Sequence, residues 1–317
     1  MNLFKPFSKI ILVAALFALP FVGEAHTYAL PQGDNTLIGE VSIIESKPGD
    51  TLRLLTRRYD IGFQEIQSAN PDILPEQRLL PGTKITIPGQ FILPPKPWKG
   101  IMINLSAYRI FYFPEDMPVV MTFPLGIGKE GLDYKNNAWD TPTFEGYITK
   151  KFKDPSWYPP DSVRVHTQQT IGLVLPRVMP PSIKNPLGQY KIYTSKPGYL
   201  LHGTNFPYGV GDQVSAGCLR MLPEDVEQFY YAVPEKTPLR VYRQSFDIGI
   251  LNQQLYMEAH PKQKTVVQND LPLSDTSIIS NVILYSVTHQ ISVNWDTVYQ
   301  LIYHRNLSSI PVNISKE

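Results

Sequence analysis

The sequence predicts a mainly β protein built from more than one folded unit, and three observations carry that expectation. The 30 prolines among 317 residues are about twice the ordinary share of roughly 5%, which suits extended segments and tight turns better than long helices. Short strand-like runs separated by turn signals recur through the middle of the chain, as in a sandwich or barrel. The length exceeds the roughly 100 to 200 residues of a typical domain, so two units are the starting expectation.

Taken in order, the chain opens with Lys5 and Lys9, the apolar run Ile10 to Leu19, Pro20, and small residues at Gly23, Ala25 and Ala29. That is the order of parts of a secretory signal peptide, assigned to residues 1–29, with Ala25 and Ala29 as alternative cleavage ends. The run is shorter than the roughly 20 residues of a membrane span, so only a transient membrane contact is expected. Residues 42–89 form a compact unit. Asp50 or Thr51 caps a helix with Leu52, Leu55 and Tyr59 at helical spacing, and Phe63, Ile66 and Gln67 mark a second. Ile85 and Ile87 then alternate in a closing strand, giving the order strand, helix, helix, strand.

Residues 90–98 carry Pro94, Pro95 and Pro97 and read as a semi-rigid linker. Over 99–243 the strand-like runs are 101–105, 108–113, 119–125, 147–151, 190–194 and 239–242, with long loops at 156–160 and 176–186. One helix is well marked from Pro223. Glu224 and Asp225 suit the positive end of its dipole, and Val226, Phe229, Tyr230 and Val233 share a face. Residues 244–317 are a C-terminal extension, with one helix expected within 293–305.

The charge pattern narrows the function classes. Net charge is +1, with no run of five or six like charges, so the basic footprint that nucleic acid requires is missing. Six histidines are scattered without metal-ligand spacing and there is a single cysteine, so neither a metal nor another cofactor is expected. An exported chain with one cysteine has no internal disulfide, which leaves burial or chemistry to account for Cys218.

Chemistry is favoured by what surrounds it. A strand-like run, Tyr199-Leu200-Leu201-His202, delivers a histidine before a glycine-containing loop, and the chain then reaches Ser215-Ala216-Gly217-Cys218-Leu219-Arg220. A thiol attacks only as thiolate, and an imidazole brought beside it removes the proton and later returns one to the leaving group. Gly217 permits a sharp turn and amide donors for an oxyanion. The order histidine then cysteine differs from papain-like enzymes, and Ser215 is not in a G-x-S-x-G elbow.

Leu201-His202-Gly203-Thr204-Asn205 followed by Val214 to Arg220 resembles the signature of the L,D-transpeptidases, the YkuD-type catalytic domain, in its ErfK/YbiS subgroup. Supporting segments are Pro124 to Gly128, Asp140 to Thr143, Asp154 to Trp157, Asn185 to Gly188 and Tyr256 to Pro261. Pro48 to Leu52, Asn70-Pro71 and Pro81 to Pro88 resemble a LysM domain, a glycan-binding module. The resemblance implies a β-sandwich-like catalytic domain beside a small α+β LysM-like domain, in a periplasmic protein that meets peptidoglycan stem peptides and glycan. It further implies Cys218 as nucleophile, His202 as base, Gly203 as the carbonyl that orients the imidazole, and Gly217 with Cys218 as oxyanion donors. Ser215 and Arg220 complete the oxyanion and substrate set, Arg220 as an anchor for a carboxylate. The acyl acceptor implied is a second stem or the lysine of an outer-membrane lipoprotein. A hydrolase using the same thioester and a non-catalytic wall-binding protein are the alternatives. Two departures from the family pattern are Ala216, where a histidine is common, and Phe144, where a glycine is.

Overall fold

The computed structural model describes residues 27–133, 139–261 and 275–314. The expected signal segment therefore lies outside the described residues except for Thr27 to Ala29, which form strand β1 (Thr27–Ala29). After β2 (Leu37–Glu45) come helices α1 (Leu52–Tyr59) and α2 (Phe63–Ala69) and then β3 (Lys84–Ile92), which pairs antiparallel with β2 along its whole length. The cap of α1 is Thr51, whose hydroxyl accepts the Leu54 N–H at 3.2 Å. Asp50 instead accepts the Lys47 N–H at 2.8 Å and two bonds from Arg58 at 2.6 and 2.9 Å. In α2 the Glu65 carboxylate reaches back to accept the Gly62 N–H at 2.6 Å.

The stretch 90–98 departs from its expected role as a linker. β3 continues to Ile92, and Phe91, Ile92 and Leu93 are buried. Proline content made this stretch look extended, which it is, but its apolar residues pack into the interior instead of spanning solvent.

The main sheet is assembled from β4 (Gly100–Asn104), β5 (Arg109–Phe113), β6 (Val119–Pro124) and, after the short β7 (Ile127–Gly128), β8 (Phe144–Lys153). Helix α3 (Asp161–Ile171) precedes β9 (Tyr190–Thr194) and β10 (Leu200–His202). β11 (Gln213–Ser215), β12 (Leu219–Arg220), α4 (Pro223–Ala232) and β13 (Pro238–Tyr242) follow. Nine strands hydrogen-bond in the order β1-β6-β5-β4-β13-β8-β9-β10-β12, while β7 pairs separately with β11.

Every residue of β4 and β5 is buried, and the pleat explains why. Ile101, Ile103, Ile110 and Tyr112 point into a core closed by Val226 and Phe229 of α4 and by Val233 at its C-terminal cap. Met102, Phe111, Phe113 and, from β6, Val120 point the other way, into a core shared with Leu52, Leu55, Ile66 and Ile85 of the LysM-like unit. Strands covered on both faces read as continuous apolar runs. At this seam Arg109 donates two bonds of 2.6 Å to Glu65, with both side chains almost fully buried. The guanidinium also lies 3.8 Å from the Phe91 ring centroid.

Helix α3 contains no buried residue, so it lacks the apolar stripe by which a sequence announces a helix, and it fell between the two expected loops. The C-terminal extension has its own core. It comprises β14 (Phe246–Leu251) and β15 (Gln254–Ala259), helices α5 (Asp275–His289) and α6 (Trp295–His304), and β16 (Ile310–Pro311). Helix α6 matches the expectation within 293–305. Among the described residues no helix is long and apolar enough to cross a membrane.

Candidate functional site

Strands β9, β10 and β12 form the floor of the site. β10 pairs antiparallel with β9 and parallel with β12, so that His202 stands between Lys191 and Arg220, and Leu201 between Ile192 and Leu219. Alternation sends Ile192, Leu201 and Leu219 into the core, each 0 or 1% exposed. The row Lys191, His202 and Arg220 therefore lies on the opposite face. Cys218 precedes Leu219 by one residue, so it returns to that same face, two positions from Arg220 along the strand direction.

His202 is 4% exposed, and its Nδ1 meets the Gly203 carbonyl at 2.5 Å. A proton on Nδ1 satisfies that contact and turns the lone pair of Nε2 outward. Burial, then the charge of Arg220, push the imidazole pKa down to about 3, so His202 is neutral at ordinary pH. The Cys218 thiol is the free cysteine. Burial raises its pKa, against smaller lowering effects from a backbone hydrogen bond to Leu200 and from Arg220 and Lys191. At rest the cysteine is thus a thiol and the imidazole is neutral.

Arg220 is held as a cation in a poorly solvated position, which lowers its pKa. Its Nε is buried without a hydrogen-bond partner, and among the described residues none of the ion pairs involves it. Lys129, lowered by burial and by Arg220, lies over the Trp139 ring at 4.2 Å. The site therefore presents uncompensated positive charge, the environment an anionic substrate group needs.

The turn carrying Cys218 is locked from two sides. Ser215 accepts the Gly217 N–H at 3.1 Å and donates to the Cys218 carbonyl at 2.5 Å. Thr141 donates to the Gly217 carbonyl at 3.0 Å and accepts the Gly128 N–H at 2.9 Å. Gly217 has φ +102, which favours glycine, and a Cβ there would also crowd the Tyr199 ring at 3.1 Å.

Two sequence expectations change here. Gly217 was expected to offer its N–H to an oxyanion, but that donor is already engaged by Ser215, because the turn closes on itself. Ser215 was grouped with the substrate contacts, yet it is 2% exposed and both its bonds are internal. Gly203 holds the imidazole, Arg220 stands beside His202 across the β10–β12 pair, and Cys218 lies two residues before Arg220. Sequence reasoning alone assigns no role to Thr141, Tyr199, Lys129 and Lys191. Thr141 lies in a segment the family resemblance had picked out, whereas the two lysines have no local signal and arrive through strand pairing or tertiary packing. Ala216 is exposed at the turn.

Comparison with known proteins identifies the family. The family model described as the L,D-transpeptidase catalytic domain, YkuD, matches residues 99–241, and that of the LysM domain matches residues 47–88. "Probable L,D-transpeptidase YcfS" of Escherichia coli K12 is 32% identical over 83% of this chain and 78% of its own length. "Probable L,D-transpeptidase YbiS" of the same strain is 34% identical over 72% of this chain and 73% of its own. A third E. coli relative, named as ErfK/SrfK, is 33% identical over 72% of each. With its histidine and cysteine segments on one sheet face and a LysM domain packed behind that sheet, the chain belongs to the L,D-transpeptidase family.

Proposed function

We propose that the protein is an exported cell-wall acyltransferase in which Cys218 attacks the third-residue carbonyl of a peptidoglycan tetrapeptide stem. The observation carrying this reading is the shared face of His202, Cys218 and Arg220 across the β10–β12 pair. The Sγ proton passes to His202 Nε2 as the S–C bond forms. The C–N bond to the terminal D-alanine then breaks, and His202 returns the proton to the departing amine. An amine acceptor attacks the thioester, His202 takes its proton, and the thiol is restored. The Cys218 N–H is the remaining turn donor for the oxyanion, Gly217 acting through the turn's shape.

Arg220 binds a carboxylate of the stem. That contact has a second effect, because burial is the main cause of the low His202 pKa and the charge of Arg220 the next, and an anion placed there offsets the second of these. Substrate thereby raises the basicity of the imidazole. The acceptor is a second stem or a lipoprotein lysine; the hydrolytic reading substitutes water. Purified protein incubated with tetrapeptide and read by mass spectrometry separates these. Crosslinked product or amine adduct supports transfer, and loss of D-alanine alone supports hydrolysis. No D-alanine release by wild type, or release retained by Cys218→Ala, refutes the mechanism.

A further inference from the structure

We infer that the LysM-like unit and the catalytic domain jointly build one saccharide subsite, and that the sugar carrying the donor stem sits there during acylation. The inference rests on the proposed stem-peptide reaction for its placement, though not for its binding chemistry. A cavity of about 430 Å³ lies where the two units meet, lined on one side by Thr51, Leu54 and Glu76 and on the other by Phe206, Tyr208 and Asp212. Its volume falls within the range of small-ligand sites.

The lining has the composition a sugar requires. A pyranose offers apolar C–H faces and a polar rim of hydroxyl and amide groups. Phe206 is 57% exposed, Tyr208 39% and Leu54 41%, an uncovered apolar cluster in which the two rings stand edge to face at 5.9 Å. Charged groups surround it. Arg53 pairs with Glu76 at 2.6 Å and donates to the Tyr208 carbonyl at 2.9 Å, while Asp212 accepts from Gln64 at 3.3 Å. Exposed apolar surface with such a rim marks a ligand groove.

The two walls are held in fixed relation. The Phe63 N–H donates to the Val210 carbonyl at 3.4 Å and the Gln64 N–H to the Gly211 carbonyl at 3.2 Å. Arg57 makes a two-bond pair with Glu224 at 2.8 and 3.1 Å. A Cβ at Gly211 would fall 2.1 Å from the Phe63 nitrogen, so the backbones meet without room for a side chain. The groove is thus preformed, which lowers the ordering cost of binding.

Reach supplies the link to chemistry. Val214, on the cavity wall, is four peptide units from Cys218, at most about 14 Å away. Three extended stem residues span roughly 10 Å on the same rule, and the ether-linked acid joining stem to sugar adds to that. A muramyl ring in the cavity therefore has its third stem residue within reach of the thiol.

The test uses the full mature chain and N-acetylglucosamine hexamer, a stem-free glycan probe, in calorimetry. Wild type binds, and the Phe206→Ala/Tyr208→Ala double variant binds at least tenfold more weakly. Leu54→Asp, on the opposite wall, gives the same loss if the subsite is shared. In turnover assays the double variant raises KM for a disaccharide-tetrapeptide donor about tenfold, with kcat retained and a smaller effect on free tetrapeptide. Unchanged hexamer affinity in the double variant, or an equal KM rise for both donors, overturns the shared subsite. Loss only in Leu54→Asp assigns glycan binding to the LysM side alone and overturns it as well. Acylation of wild-type Cys218 by a carbapenem, followed by intact mass, is read separately. Its failure removes the transpeptidase reading and leaves the hexamer result standing.

Discussion

Replacing Glu65 by alanine strands the Arg109 guanidinium inside the seam between the two units. The pair is 2 and 5% exposed at its side chains, so water does not replace the lost carboxylate. Removing one partner of such a buried pair costs about 3–5 kcal/mol, here because the guanidinium loses both of its carboxylate hydrogen bonds and keeps a weaker charge interaction with Asp60. The Gly62 N–H also loses its acceptor, which adds about 1 kcal/mol. Urea unfolding followed by tryptophan fluorescence reads the loss as a fall in midpoint. The companion variant Glu65→Leu/Arg109→Met removes both charges and keeps comparable apolar volume, and recovers most of the loss. A fall below about 1 kcal/mol for Glu65→Ala, against the 3–5 expected, refutes the argument. So does a double variant no more stable than the single one.

Other predictions concern the site. His202 has a folded pKa of about 3 against roughly 6.5 unfolded. Between those values the unfolded chain binds a proton that the folded one excludes. Stability therefore rises with pH there, by about 1.4 kcal/mol per unit, and acid titration of His202→Gln shows a flatter slope. Cys218 alkylation by iodoacetamide in substrate-free protein rises with pH and stays slow at neutrality, because burial holds the thiol protonated; a rate plateau below pH 7 contradicts this. Arg220→Gln raises the His202 pKa, visible by NMR titration, while KM for the tetrapeptide increases tenfold or more. Gly217→Ala forces a strained φ against the Tyr199 ring, costs about 1–3 kcal/mol, and lowers acylation by carbapenem. Thr141→Val removes both bonds that hold the Gly217 turn to Gly128, at about 1–3 kcal/mol by denaturant unfolding.

Legibility in the sequence followed the physics of each element. Strands of the main sheet were visible because their apolar runs are bounded by turn residues, and α4 because Pro223 and a 3.6-residue stripe announce it. Helix α3 was invisible, since none of its residues is buried. Residues 90–93 were misread because proline content says extended without saying where the chain runs. His202, Gly203, Cys218 and Arg220 were legible as short motifs. The row that adds Lys191 was not, because it exists only through the register of β9 against β10. Ser215 and Gly217 were recognised by type, but which donor satisfies which acceptor in a four-residue turn is decided by three-dimensional closure.

The two-sided burial of β4 and β5 bears on how such a protein is inherited. A module joined by a free tether can be gained, lost or exchanged by recombination at the tether. Here Met102, Phe111, Phe113 and Val120 share one core with Leu52 and Ile66, so a crossover between the two matched segments splits that core. A lineage that sheds the module must first recolour the back of its catalytic sheet with polar residues. The intermediate sequences, apolar and uncovered, are those that aggregate.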